Sequence, residues 1–461
     1  MSGLFGSLSI ALSGLSVSQQ EMETSSNNVA NANTPGYSRE SAETAAGAPV
    51  VYGPLSIGTG VVLQKIESLR DPILEIQLNQ ETQQQSSLNT QLGQLEQLQT
   101  QFSSSTSGIG ADISNFFNSL QQLAPDPTNL ALRQSVLTAA GTLATDFNNA
   151  SSSLQTQASN LNLSVVEDVS QVNTLTSEIA SIDQQISSLQ DANEEAGPLV
   201  DQQTNLIRQL SGLIDVDVVQ TGAGGIELTT SSGTTLVAGG QSFALTTATG
   251  AGGNQQILAG AQNITSTLTG GSLAGTIAIR DQEIPGVTGQ LDQLAAGLST
   301  ALNTANKTGF DLNGNAGGNL FTTPPTGGTG AAAAMQVAIT DPSLLAASSD
   351  GTVGSNGNLA VLAAVANQTV VNGNTPIDFY SNLVFQVGNT TSNTSADVDA
   401  FTQILQQLQD QRGSVSGVSL DEEASNIVQY QTAYQASARV VSTIDAMLAD
   451  AVNLGIDAAV Q

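Results

Sequence analysis

Near the start of the chain Leu8, Leu15, Met22 and Val29 recur at every seventh position, flanked by Leu4 and Leu12 on a background of Ser, Gln and Asn. That spacing predicts a helix with one narrow apolar stripe. The other end repeats the pattern. Leu420, Ile427, Tyr434, Val441 and Leu448 keep the same interval, and Tyr430, Ile444 and Ala451 form a companion row. Ser419 and Glu422 make an S-x-x-E capping box, which sets the start of this second helix. From Leu420 to Leu454 it counts 35 residues, about 50 Å of helix. Both stripes have coiled-coil character and neither has a local surface to pack on, so each is expected to pair with the other.

Three further periodic segments lie between residues 72 and 212. The first carries Leu74, Leu78, Leu88, Leu92, Leu95 and Phe102, and the second Ala140, Phe147, Leu154 and Leu161. The third interleaves Val165, Val172, Ile179 and Ile186 with Leu175, Ile182 and Leu189. At Ile214 the composition turns to Gly, Thr and Val, and runs such as DVDVVQ, GIELTTSSG and SFALTT alternate in the manner of short strands. Helical spacing resumes near Val287 through Leu291, Leu294, Leu298 and Leu302. Residues 311–400 are mixed, with a turn at DLNGNAGGN, a strand at AMQVAIT and short helices near 359–366 and 376–387.

The predicted fold is mainly α with an inserted β domain. It is an elongated molecule in which the terminal helices pair as a coiled coil beside a long helical bundle. Its expected divisions are 1–60 (amino-terminal helix and turn), 61–213 (first part of the helical bundle), 214–284 (inserted β domain), 285–410 (helical and mixed second part) and 411–461 (carboxyl-terminal helix).

Composition narrows the chemistry. The 461 residues suffice for two to four domains, but only 10% are charged and 3% aromatic, where about 25% charged is usual. Nine basic residues against 39 acidic ones give a net charge of −30. Such a surface repels phosphate backbones and anionic lipid, and the few cations are scattered along the sequence, so neither nucleic acid nor membrane is an expected partner. The absence of Cys and His removes disulfides, thiol nucleophiles, Cys₄ zinc sites and histidine triads. No apolar run approaches the roughly 20 residues of a membrane span. The first 20 residues carry no charged side chain, so a cleaved secretory signal with a basic start is not expected.

No Walker loop, G-x-S-x-G elbow or dinucleotide fingerprint occurs, and no catalytic residue, cofactor or metal site is assigned. Asp311-Leu312-Asn313-Gly314-Asn315 has the look of a calcium loop, but Gly314 comes two positions early and Thr322 stands where a bidentate glutamate belongs. It reads as a turn. Asp421, Glu422 and Glu423 cluster at a helix start, where the helix dipole favours them, and no partner for them is visible in sequence. Tyr430 and Tyr434, one turn apart, read as interface aromatics.

Residues 27–39 read NNVANANTPGYSR. Asparagines are poor helix formers, and Thr34-Pro35-Gly36 has the residues of a type II turn, so a helix ends here and an extended segment begins at Tyr37. The stretch closely resembles the N-x-A-N-x-x-T-P-G-Y signature of bacterial flagellar axial proteins, the family of rod, hook and hook-associated proteins. SGVSLDEEASNIVQYQTAYQASARVVSTIDAMLADAVNL is similar to the matching carboxyl segment in its hook-associated, junction-forming branch. GGSLAGTIAIRDQEIPGVTGQLDQLAAGLSTALNTANKTGFDLNGNAGGNLF is similar to a third block of that branch. Two departures stand out: Asn306 occupies a position where many members have histidine, and the chain is short, with one clear β insertion.

The resemblance implies a non-enzymatic protein joining hook to filament. Asn28, Asn31, Thr34, Pro35, Gly36 and Tyr37 would turn the chain away from the inner helix. The seam residues Leu8, Leu15, Met22, Val29, Leu420, Ile427, Tyr430, Tyr434, Val441, Ile444 and Leu448 would line the axial coiled coil, and the β-rich domain would lie outermost. The implied partners are copies of itself in a ring, hook protein, a second junction protein and a flagellar export chaperone. Export through the flagellar type III apparatus to an extracellular flagellar location follows from the same resemblance. Other readings are another axial protein, a third hook-associated or flagellin-like one, and a secreted adhesin with a helical stalk; an enzyme on the β insertion is weaker still.

Overall fold

The computed structural model describes residues 2–52, 55–102, 108–192, 194–221 and 225–457. Helix α1 (Ser2–Asn31) is followed by strands β1 (Glu40–Ala46), β2 (Val50–Tyr52), β3 (Leu55–Ile57) and β4 (Val61–Ser68). Helices α2 (Pro72–Phe102), α3 (Ile109–Leu123), α4 (Leu130–Asp191) and α5 (Gly197–Leu213) come next. Strands β5 (Asp217–Gln220), β6 (Ile226–Thr229), β7 (Thr235–Ala238), β8 (Gln241–Ser242), β9 (Leu245–Thr249), β10 (Gln255–Ala259) and β11 (Gln262–Asn263) lead to α6 (Gly271–Ala278). A π-helical turn (Ile279–Glu283) runs straight into α7 (Ile284–Lys307). The chain closes with α8 (Ala331–Ala334), α9 (Gly357–Ala364), α10 (Pro376–Ser416) and α11 (Leu420–Asp457). The fold is mainly α with small antiparallel sheets.

The chain forms two compact units. The first holds Met1–Gln83, Val172–Ala244 and Thr402–Gln461, and the second Gln84–Gln171 and Leu245–Phe401. In the first, α1 and α11 lie side by side and antiparallel: a Cβ on Gly14 would meet Ser437, while Glu21 acts on Tyr430. β1 pairs with β4 and β2 with β3, a hairpin system that the sequence reading passed over inside its amino-terminal segment. Its tip meets α1, for Gly60 (φ 101°) would place a Cβ 3.2 Å from Ile10 Cα, and Val61 N donates to Ser13 Oγ (3.3 Å). Asp71 caps α2, accepting from Ile73 N and Leu74 N with Pro72 as the first helical residue. β5 to β8 form an antiparallel meander over buried Leu228, Leu236 and Val237.

The second unit is built on one apolar core. Leu98, Phe116, Leu120, Phe147, Leu291, Leu298, Phe321 and Leu362 are fully buried in it. Phe116 meets Phe117 and Phe321 edge-on, with ring centroids 5.3 and 6.1 Å apart. The irregular chain after α7 is pinned by buried amides and a carboxylate. Asn303 accepts from Leu320 N and Phe321 N, Asp292 from Gly330 N and Ala332 N, and Asn358 donates to Ala305 O and Ala346 O. Asn306, wholly buried, donates to Gly318 O (2.9 Å) and accepts from Ala346 N (3.1 Å). One donor and one acceptor pointing apart is also what a neutral histidine supplies. Asp311 Oδ1 accepts from Asn313 N and Asn315 N, which makes the DLNGN run an Asx turn.

Several expectations are corrected here. The segments around 140–161 and 165–189 are one 62-residue helix, α4, because neither Gly nor Pro interrupts Leu161 to Val165. The strand at 334–340 does not form; Val337 makes a single bridge to Phe321. The helix begun at 376 continues to Ser416. Residues 214–284, expected as one β domain, form two sheets: β5 to β8 in the first unit, and β9 to β11 in the second.

Candidate functional site: the terminal helix pair and its joint

Where α1 ends, the chain reverses through side-chain amides. Thr34 N donates to Asn31 O (2.9 Å) and Tyr37 N to Thr34 O (3.2 Å), closing a turn with Pro35 and Gly36 at its centre. Gly36 has φ 84°, the left-handed value that the second central position of a type II turn requires. Asn28, 1% exposed, binds the departing strand as another strand would. Its Nδ2 donates to Glu40 O (2.8 Å), while its Oδ1 accepts from Glu40 N (2.9 Å) and from Tyr37 Oη (2.8 Å). Asn31 Nδ2 donates to Asn27 O, and Asn31 Oδ1 accepts from Thr34 Oγ1. Burial, then the charges of Glu40, Asp201 and Glu423, raise the Tyr37 phenol above its usual range. The six motif residues therefore sit together, each with a local task.

Around this turn four distant stretches of chain are tied by ion pairs. Arg39 donates from Nε to Glu423 (2.7 Å) and from Nη2 to Glu422 (2.8 Å), while its backbone N reaches Ser416 O (2.9 Å). Burial works to lower the Arg39 pKa, but the hydrogen bonds to Glu423 and Glu422 outweigh it and the net shift is upward. Arg70 binds Asp201 (3.0 Å) and Gly197 O (2.6 Å), and Asp201 also accepts from Ser38 N (3.0 Å). Arg412 and Arg208 share the carboxylate of Glu75, and Arg412 also donates to Gly36 O (3.0 Å). Cations scattered in sequence thus converge: Arg39, Arg70, Arg208 and Arg412 are four of the nine basic residues. All four are matched by carboxylates, so the joint is a clasp and not a basic patch. The acidic cluster at 421–423 has its partner in Arg39, a correction to the sequence reading.

The seam residues divide. Leu8, Leu15 and Met22 are half-buried on the flank of α1, and Val29 is exposed at 38%. The most buried row of α1 is one step away, at Ala11, Ser18, Ser25 and Asn28. Small residues there let the helices approach closely, which pushes the larger side chains to the flanks. On α11, Ile444 is buried, and Ile427, Tyr430, Tyr434, Val441 and Leu448 are half-buried on the side that includes Ser437. Leu420 is exposed at 52%, since the helix start is occupied by the Arg39 clasp. The side chains of Ala451 and Leu454 lie outside the described residues. Among the described residues no group of three or more His, Cys, Asp or Glu side chains could hold a metal, and no helix is long and apolar enough to cross a membrane.

Residues 95–321 match the family model "Flagellar hook-associated protein FlgK helical domain". Over nearly the full chain, the sequence is similar to flagellar hook-associated protein 1 of Bacillus subtilis (29% identical, covering 98% of this chain and 99% of that one). It is likewise similar to that of Escherichia coli (26% identical, covering 96% and 98%). The chain belongs to the flagellar hook-associated protein family.

Members of this family are structural proteins of flagellum assembly and motility. The alignment to the Escherichia coli member extends over 545 positions, more than the 461 residues present here, so that relative carries segments this chain lacks. A solved structure, the flagellar hook junction protein FlgK from Burkholderia pseudomallei, shares the fold with a TM-score of 0.67 at 20% identity, covering 74% of this chain and all of that one. Two further models match the ends: "Flagella basal body rod protein" over residues 8–37 and "Flagellar basal body rod FlgEFG protein C-terminal" over 411–454. Their inner limits fall on the joint, at Tyr37 and beside Arg412. Sequence reasoning missed Arg39, Arg70, Glu75, Asp201 and Arg412. Their rarity was the available signal, since each cation stands next to the boundary of a predicted element.

Proposed function

We propose that this hook-associated protein is the adaptor that joins hook to filament, with no catalytic task. In this reading it leaves the cell through the flagellar type III apparatus, attended by an export chaperone. It then assembles as a ring of copies between the hook protein and a second junction protein, outside the cell. The observation that carries the reading is the unspent apolar surface of the terminal pair. Phe5, Ile10 and Leu12 on α1, and Val428, Val440 and Met447 on α11, are exposed by 40–63% while the pair buries few apolar side chains of its own. A two-helix pair of this kind is marginal alone and gains when like pairs cover it.

The test is a Val440→Asp, Met447→Asp double variant on that open face. Charge on that face, once covered, costs several kcal/mol in the assembled state. In a strain lacking the native protein, the variant is expected to be exported and to keep the melting temperature of the free chain, while filaments fail to stay on hooks. A melting temperature that fell as far as attachment did would assign the face to the folded monomer and overturn the reading.

A further inference from the structure

Strand β5 stands at the edge of its sheet, which runs in the order β5-β6-β7-β8. Asp217 lies opposite Thr229 and Val219 opposite Glu227, and in the same register Thr221 N donates to Gly225 O (2.9 Å). Hydrogen-bonded pairs alternate along an antiparallel ladder, so Asp217, Val219 and Thr221 spend their backbone groups on β6. Val218 and Gln220 turn theirs to the free edge, where no backbone partner meets them among the described residues. An open row of this kind is a template for one more strand.

The same two residues line a hollow of about 320 Å³, together with Ile76 and Asn79 of α2, Ile207 of α5 and Ile226 of β6, all within the first unit. Asn79 is 4% exposed, and its Oδ1 is buried with no hydrogen-bond partner among the described residues. An amide left so costs stability until a donor reaches it. The charged side chains in the lining are already matched, Arg70 by Asp201, and Glu75 by Arg208 and Arg412. Strands β5 and β6 carry only acidic charges, Asp217 and Glu227.

We propose that β5 is a docking edge for an extended peptide segment of another protein, neutral to basic in charge, which joins the sheet beside β5. Residues of the peptide opposite Val218 and Gln220 share their face. One of them fills the hollow with an apolar side chain whose hydroxyl or N–H tip donates to Asn79. The residue opposite Asp217 falls on the other face, where a lysine meets the aspartate. With a net charge of −30, a second copy of this chain is a poorer occupant than a basic foreign segment.

The probe is the blocked peptide acetyl-Lys-Thr-Tyr-Thr-Val-Lys-Thr-amide, titrated to millimolar concentration into the full chain with labelled isoleucine δ1-methyl groups. The Ile76, Ile207 and Ile226 signals are expected to shift and saturate, while Ile257 and Ile279 of the second unit stay in place. N-methylation of the peptide's tyrosine and valine should abolish the shifts, because those amides pair with the free edge. Gln220→Pro removes an outward N–H without touching the β6 ladder and should weaken binding by about tenfold. Asn79→Leu should weaken binding too, yet raise the melting temperature of the free chain, since an unpaired buried amide is gone. Unmoved signals, equal shifts with the N-methylated peptide, or unchanged binding by Gln220→Pro overturns the proposal. So does a lower melting temperature in Asn79→Leu, which would give the hollow to water. Self-association of the wild type that Gln220→Pro abolishes would make a second copy the occupant and overturn the foreign segment. Should Gln220→Pro fail to fold, the N-methylated peptide on the wild-type chain decides the matter.

Discussion

The core of the second unit and the terminal helix pair are held together by different physics. Around α7 the core is continuous, with Leu291, Leu294, Leu298 and Leu302 all at 0% exposure in a cluster that draws aromatic and aliphatic side chains from six other helices. Between α1 and α11 the buried apolar side chains are few, Ala11, Val17 and Ile444 among them, and the deepest row is Ser and Asn. What the pair lacks in apolar burial is offset in part by polar contacts, from the Asn28 amide and the Arg39 clasp at one end and from the hairpin tip on Ser13 further along α1. The lesson is that a helix can be fully formed in one chain and still leave apolar side chains open to solvent. Burial fixes the first region, and a clasp of ion pairs and amide hydrogen bonds holds one end of the second.

The largest expected effect is in amide exchange of the free chain. Residues 284–307 should exchange only through global opening, whereas 4–30 and 425–450 open locally. The difference is expected to reach about a thousandfold in protection or more. Equal protection in dilute solution would break the comparison, because the pair would then be a core in its own right. Next comes Leu298→Ala, which removes a wholly buried side chain and should lower unfolding stability by about 3 kcal/mol in a denaturant titration. Exchange in α11 should be unmoved by it.

These two regions were also unequally legible in the sequence. The seven-residue spacing and the Ser419 cap located α11, and Asn, Pro and Gly located the reversal after α1, because such signals are local. The Arg39–Glu423 bond spans 384 positions, and no periodicity reports it. The chain after α7 was unreadable for another reason: it is held by Asn303, Asn306 and Asn358, whose bonds to backbone leave no pattern of apolar spacing. The alternation in 214–284 was visible, but strands of similar composition hide the point at which one sheet ends and another starts.

A smaller effect is expected at the joint. Arg39→Ala leaves the Glu423 carboxylate, 1% exposed, without its cation, at a cost of about 2 kcal/mol. Since Arg39 is partly exposed and Glu422 largely so, most of that arises from Glu423. Adding Glu423→Gln should restore part of the loss, a double-mutant cycle readable from exchange in residues 425–450. If Arg39→Ala left that exchange unchanged, the clasp would be a surface pair of no consequence, and that end of the pair would rest on the Asn28 amide alone.

The smallest effect is the most selective. Gly6 lies inside α1 with open space around its Cα, so a methyl group there meets nothing. Gly6→Ala removes backbone freedom from the unfolded segment and should favour the helix by up to about 1 kcal/mol. In a free chain whose α1 opens locally, that gain appears as slower exchange of residues 4–12, by about fivefold, with α7 unmoved. If α1 were instead clamped by its own packing, local opening would not limit its exchange, and the substitution would show only in global unfolding. Gly14→Ala is the matched control. Its Cβ would stand 3.1 Å from Ser437 Oγ, so the same gain in propensity is opposed by the close approach of α11. A slowing at Gly6→Ala without one at Gly14→Ala would show that α1 has intrinsic helix to gain where it is free and a partner to lose where it is not.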